Sequence, residues 1–198
     1  HIDTKWKFKE MISFRNKIKK KFKLKIITYT NQKGLKLSPQ KDKNYTDVMK
    51  TKALKDALDK YKFDVVYGGA RRDEEASRSK ERIVSVRECG HLWNPKNQRP
   101  ELWSLYNFGR NDGQTLRVFP ISNWTEFDIW NYIKRENIEI VDLYFSKKRK
   151  CVKKDGAYFV LDDKRFKIKN NEKIIFENIR FRTLGCYPLT AGIKSNAK

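Results

Sequence analysis

The five residues Phe63–Tyr67 (FDVVY) form an apolar run that stops at Gly68-Gly69. A run this short, closed by paired glycines, reads as a buried strand entering a tight loop. Lys25–Thr30 (KIITYT) and Thr115–Phe119, the latter closed by Pro120, read as further strands. Helical patterns lie between them. Over Trp6–Phe22, Met11, Phe14, Ile18 and Phe22 recur at spacings of three and four, and Asp3 or Thr4 can cap the start. Thr46 can cap a second helix, with Met49, Ala53, Ala57, Leu58 and Tyr61 along one side. Thr125 and Asp128 make a capping-box pattern before a third, whose Phe127, Trp130 and Ile133 are predicted to face inward. This alternation predicts an α/β fold: a mainly parallel, Rossmann-like sheet with helices on both faces. After Ser146 the character changes. Residues 157–161, 164–168 and 173–182 read as short strands joined by turns at Asp155-Gly156 and Asn170-Asn171. The chain is therefore expected to divide into an α/β domain over 1–145 and a small β-rich C-terminal appendage over 146–198.

Composition narrows the classes of function. Aromatic residues make up 13% of the 198 positions, which predicts a packed core even at a net charge of +22. No apolar run approaches the ~20 residues that span a bilayer, and no signal-like stretch opens the sequence, so no membrane association and a cytoplasmic location are expected. Cys89, Cys151 and Cys186 lie far apart, which gives no disulfide framework, no sequence-local zinc site and no evident protein-bound metal. The excess of basic residues invites a nucleic-acid reading. Its lysines, however, are scattered over nearly every segment, and the densest run, Lys17–Lys25, sits at the end of a predicted helix, where cations suit the dipole. The arginines are different: Arg71, Arg72, Arg78, Arg82 and Arg87 crowd into one segment that is also rich in acid.

That segment is the candidate site. In open α/β sheets, ligands bind beyond the carboxyl ends of the strands, and Gly68-Gly69-Ala70-Arg71-Arg72-Asp73-Glu74-Glu75 occupies such a position. Glycines let the backbone approach a ligand closely, and two guanidinium forks can grip phosphate oxygens bidentately. A helix after Asp73 would pair Glu74 with Arg78 and put Arg78 and Arg82 on one face. From the residues alone, a turn followed by a salt-bridged surface helix accounts for the segment equally well. Asp3 and Thr4 can hydrogen-bond a ligand or cap a helix, with capping the better reading. His91 and Cys186, each without a partner nearby in sequence, read as structural.

Five stretches, HIDTKWKFKEM, GGARRDEEASRSKERI, WNPKNQRPELW, FPISNWTEFDIWNYI and RFRTLGCYPLT, occur in an order that resembles the small-subunit family of bacterial heterodimeric sulfate adenylyltransferases (ATP sulfurylases). The resemblance covers nearly the whole chain. It implies the adenine nucleotide α-hydrolase-like fold shared with PAPS reductases, and conversion of ATP and sulfate to adenylyl sulfate and diphosphate, with Mg²⁺ accompanying ATP. It further implies a GTPase large subunit as partner, and a place in sulfate assimilation and cysteine synthesis. Carried over by motif, Arg71, Arg72 and Asp73 take the catalytic positions. Asp3, Thr4, Gly68, Gly69, Arg71, Arg72, Glu74 and Arg78 take nucleotide- and sulfate-binding ones. Two departures accompany the resemblance. The sequence opens downstream of the strand and Ser-Gly-Gly-Lys-Asp-Ser-type loop that cradle ATP phosphates in the family, and family members continue past its end. The chain by itself is therefore expected to be inactive. Lys5 also stands where a small residue is usual.

Two other classes remain as alternatives. A PAPS or APS reductase-like enzyme on the same scaffold calls for a C-terminal catalytic cysteine. A non-enzymatic basic nucleic-acid-binding module calls for one concentrated basic stripe.

Overall fold

The structure, a computed structural model, describes residues 1–196. In chain order its main elements are α1 (Lys9–Lys21), α2 (Ala53–Tyr61), β1 (Val65–Tyr67), β2 (Val84–Arg87), β3 (Thr115–Val118), α3 (Glu126–Arg135), β4 (Lys147–Lys154), β5 (Ala157–Val160), β6 (Ile174–Arg180) and β7 (Ile193–Lys194). They fall into two compact units: His1–Leu54 together with the chain from Ile140 onward, and Lys55–Glu139.

The first unit is built on a four-stranded antiparallel sheet in the order β5-β4-β6-β7. Its core is aromatic. Phe8 meets Phe181 and Tyr187 edge-on, with ring centroids 4.9 and 5.1 Å away, and Leu143, Cys151 and Ile179 are fully buried beside them. Trp6 and Phe8 come from the first expected motif and Phe181, Cys186 and Tyr187 from the last, so these two stretches form one core. The guanidinium of Arg165 lies over the Trp6 ring at 4.2 Å and donates to the Lys5 carbonyl at 2.8 Å. Lys5 itself adopts φ +61°, the left-handed region that favours glycine.

Several expected elements differ. α1 starts at Lys9, and its first amide is capped over a long range by Asp162, whose Oδ2 accepts from Lys9 N at 2.9 Å; neither Asp3 nor Thr4 does this. Phe22 lies just beyond the helix and is exposed. Thr46 makes no side-chain cap, and the second helix opens with a wider π-type turn, Asp47–Lys52, before α2. The Lys25–Thr30 strand reduces to a single parallel bridge between Ile2 and Tyr29. Residues 164–168 are not a strand either. Asp163 turns the chain by accepting from Arg165 N, and the Gln40 side chain occupies both backbone groups of Lys167, at 3.0 and 3.1 Å.

The second unit carries a three-stranded sheet in the order β1-β3-β2. β1 and β3 pair in parallel, as the sequence predicts, but β2 runs antiparallel to β3, so the described sheet is mixed. β2 was not legible as a strand because side chains finish its outer edge. Gln98 accepts from Val86 N at 2.9 Å and donates to Val86 O at 3.0 Å, and the Glu101 carboxylate accepts from Ile83 N and Val84 N at 2.7 and 2.8 Å. Covering an edge in this way removes the unpaired N–H groups that would recruit another strand. On α3 the Thr125–Asp128 capping box forms as expected. Trp130 and Ile133 are partly buried, as expected, with Ile129, whereas Phe127 is 73% exposed. At 100° per residue it lies off the arc that Glu126, Ile129, Trp130 and Ile133 share.

Candidate anion-binding site

β1 ends at Tyr67, and Gly68 N donates to Val118 O at 2.9 Å, which extends the parallel pairing by one step. A β-carbon on Gly68 would stand 2.7 Å from the Phe119 ring. Only glycine lets the chain leave the strand this close to β3. Gly69 follows it in an exposed position.

The two arginines leave this turn with their forks partly held. Arg71 Nη1 donates to Trp124 O at 3.3 Å and reaches Asp73 Oδ2 at 3.5 Å. Arg72 is fixed at its backbone, where its N–H donates to Ser122 O at 2.9 Å, and at its Nε, which donates to Glu81 O at 3.0 Å. Its Nη2 stands 3.8 Å from Glu101 Oε2. No described residue accepts from Arg71 Nε or Nη2, or from Arg72 Nη1. Each guanidinium is thus oriented by the protein while keeping N–H groups for a ligand, the arrangement that suits oxyanion recognition.

The acidic half of the segment differs from a helical reading. After Asp73 no α-helix forms, only the three-residue 3-10 helix Ala76–Arg78 between turns, so Glu74 and Arg78 are not brought into register. Arg78 instead pairs with Glu75, its Nε 3.1 Å from Oε1. Asp73 accepts from Glu126 N at the start of α3 at 3.4 Å, in addition to its contact with Arg71. Glu74 is exposed. Asp3 and Thr4 belong to the first unit. Burial pushes the Asp3 carboxyl up, but the side-chain and backbone hydrogen bonds from Lys5 outweigh this and hold it below the usual range. Thr4 is buried; its hydroxyl donates to Trp6 O, and its carbonyl accepts from the Tyr45 hydroxyl at 2.6 Å. Burial pushes the Tyr45 phenol up to about 12.

Sequence reasoning missed the residues beneath the loop. Glu81 and Arg87 form a buried ion pair at 2.9 Å, and Arg87 also donates to the buried Ser85 Oγ at 2.8 Å. Arg117 sits on β3 opposite Ser85. The available signal was an arginine inside each of two short apolar runs, Val84–Arg87 and Thr115–Phe119. His91 bridges Thr115 and Asp59, at 3.4 and 2.9 Å, which fits a structural role. Cys151 and Cys186 are buried, and burial pushes the Cys151 thiol up. A polar cavity of about 530 Å³, with Glu88, Asn97, Arg99 and Gln114 in its wall, lies toward the other end of β3. Among the described residues no group of three or more His, Cys, Asp or Glu side chains could hold a metal ion, and no helix is long and apolar enough to cross a membrane.

The family model of the phosphoadenosine phosphosulfate reductase domain matches residues 1–192. The chain belongs to this family. Within it, the chain is 55% identical to the sulfate adenylyltransferase subunit 2 of Trichlorobacter lovleyi, over 100% of its own length and 67% of the relative's. Proteins of the same name from Psychromonas ingrahamii and Aliivibrio fischeri are 54% identical over the same shares. The sequence spans about two thirds of the length of these family members.

Proposed function

We propose that the subunit, assembled with its partner, binds ATP and sulfate and transfers the adenylyl group between them. As a member of the sulfate adenylyltransferase subunit 2 group, it is a nucleotidyltransferase subunit acting in sulfate assimilation. In the proposed reaction a sulfate oxygen attacks the α-phosphorus of ATP. The bond from that phosphorus to the β-bridging oxygen breaks, diphosphate leaves with the electron pair, and adenylyl sulfate remains. No protein nucleophile is needed. Catalysis then rests on positioning the two anions and on neutralising charge as it moves to the leaving group.

The observation that carries this reading is the pair Arg71 and Arg72 at the end of a parallel strand pair, each with one part of its fork fixed and another without a described partner. Arg71 and Arg72 hold the sulfate or the polyphosphate, Gly68 and Gly69 admit the ligand close to the backbone, and Asp73 orients Arg71. Arg78 adds positive charge to the loop. Mg²⁺ arrives with ATP as part of the substrate, and the exposed carboxylates Asp73 and Glu74 suit an ion held largely by phosphates and water. A Rossmann-like sheet with helices on both faces, a nucleotide-binding part over 1–145, a β-rich part over 146–198 and a cytoplasmic location belong to the same reading. The partner is a second, GTP-hydrolysing subunit. The subunit 2 name of the relatives supports a heteromeric enzyme.

The test is sulfate-dependent release of diphosphate from ATP by the protein assembled with its partner subunit. Arg71→Lys/Arg72→Lys keeps the charge and removes the bidentate fork, and activity should fall. Wild-type turnover in that double variant would overturn the site assignment.

A further inference from the structure

One face of the three-stranded sheet is apolar and the other is not. Val84 and Val86 of β2 cluster with Leu116 and Val118 of β3 on the first. Strand alternation places Ser85, Arg87, Thr115 and Arg117 on the second, with Ser85 opposite Arg117 and Arg87 opposite Thr115. Two guanidiniums on one face of a small sheet require compensation. Arg87 has it: Glu81 Oε1 lies 2.9 Å from its Nη2, Ser85 Oγ accepts from its Nη1, and its guanidinium stands over the Trp93 ring at 5.7 Å. Arg117, which is only partly buried, has no hydrogen-bonded counterion: its Nε is buried with no hydrogen-bond partner among the described residues. Burial, and then the like charge of Arg87, push its guanidinium down from the ordinary value, with Glu81 opposing them. Arg87 and Arg117 together carry two positive charges against the one carboxylate of Glu81. A partly desolvated guanidinium without a hydrogen-bonded counterion is unfavourable unless something neutralises it.

Its place in the fold indicates what would. Arg117 is the penultimate residue of β3, opposite Val66, and the next residue, Val118, accepts from Gly68 N, where the candidate loop begins. Glu81, whose side chain holds Arg87, accepts Arg72 Nε at its own carbonyl. The second face of the sheet is therefore continuous with the arginine loop.

We propose that this face is an inner anion subsite, in which the Arg117 guanidinium donates from its Nη groups to a tetrahedral oxyanion and Glu81 holds Arg87 in place beside it. The inference rests on the reading of Arg71 and Arg72 as the outer part of the same site. Sulfate and a phosphoryl group of ATP share the required chemistry, and the two probes below separate them.

The experiment measures binding of inorganic sulfate and, separately, of inorganic diphosphate to the full chain by calorimetry, with thermal melting recorded on each variant. Arg117→Met keeps the length and removes the charge. It is expected to weaken the anion that occupies the subsite about tenfold, the loss of one charge-assisted hydrogen bond. The melting temperature should stay level or rise, because a partly desolvated guanidinium without a hydrogen-bonded counterion is gone. Weakening confined to sulfate assigns the subsite to the attacking anion, and weakening confined to diphosphate assigns it to the leaving group. A lower melting temperature with both affinities unchanged makes Arg117 a structural cation and overturns the inference. In that case weakened binding in Arg71→Lys/Arg72→Lys still leaves the outer site standing. Unchanged binding in all these variants, or no binding of either anion to the wild type at millimolar concentration, overturns both. Should Arg117→Met fail to fold, Arg117→Lys decides by the same two readouts, since it keeps the charge and loses the guanidinium fork.

Discussion

The first unit buries aromatic rings, whereas the second buries charge. In the first, Phe8, Tyr45, Phe181 and Tyr187 are each no more than 1% exposed and stack into one core over an antiparallel sheet. In the second, the sheet contributes only four buried aliphatic residues to its apolar cluster, while Glu81, Ser85, Arg87 and Gln98 are buried beside them. Large apolar side chains of that unit stand in solvent, among them Trp103 at 87% exposure. The contrast separates what stabilises from what recognises. Apolar burial is non-directional and suits a scaffold, whereas buried ion pairs add little net stability but fix guanidinium forks in place.

The largest expected effect tests the scaffold half of that comparison. Phe181→Ala removes a fully buried ring in contact with Phe8 and should destabilise the protein by about 3–5 kcal/mol, read from urea unfolding. A loss under about 1 kcal/mol would mean that the aromatic core is not what holds the first unit together. Next comes the charged half. Glu81→Gln leaves Arg87 buried without its counterion and should cost about 3 kcal/mol. Replacing both partners with apolar residues, Glu81→Leu/Arg87→Met, should recover most of that stability. If the double replacement is as unstable as the single one, the pair stabilises the unit rather than organising it.

A smaller effect in free energy concerns recognition alone. Arg71→Lys/Arg72→Lys should lower sulfate-dependent diphosphate release on the order of a hundredfold, about 2.7 kcal/mol, with the melting temperature nearly unchanged. A melting temperature that falls in step with activity would place these arginines with the scaffold. Smaller again, Lys5→Gly relieves a left-handed lysine at the loss of an exposed ion pair with Asp3, and should raise stability by about 1 kcal/mol.

The mildest effect is on acid stability. Hydrogen bonding from Arg165 holds the Asp163 carboxyl below its ordinary 3.8, and the Thr125 backbone N–H and then its hydroxyl do the same for Asp128. A carboxyl lowered in the folded state contributes stability above its unfolded value and loses it as the pH falls through the folded one. The melting temperature should therefore be flat near neutrality and begin to fall only below about pH 4. Asp128→Asn should flatten part of that fall. Because Asp128 is exposed, salt should weaken its share of the effect.

The elements legible in the sequence were those whose signals are local. The 3.6-residue pattern marked the three helices, the Thr125–Asp128 capping box closed as read, and Phe63–Tyr67 before Gly68-Gly69 marked β1 and the loop that carries Arg71 and Arg72, although Phe63, Val65 and Tyr67 are exposed where the run reads as buried. The resemblance of five stretches to one family also came from sequence alone. Tertiary structure decided what depends on distant partners. Asp162, not Asp3 or Thr4, caps α1 from far along the chain, and Gln98 and Glu101 make a strand edge of β2. Gln40 occupies the backbone groups of Lys167 in a segment that reads as a strand. The inner charges follow the same rule. An arginine in a strand has no sign of its own environment, and only the register Ser85 to Arg117, with Glu81 folded against Arg87, sets the buried balance of charge on that face. Backbone preference and periodicity act over a few residues and are written in order along the chain. Desolvation and hydrogen-bond satisfaction are properties of a place in space, which the chain defines only once it has folded.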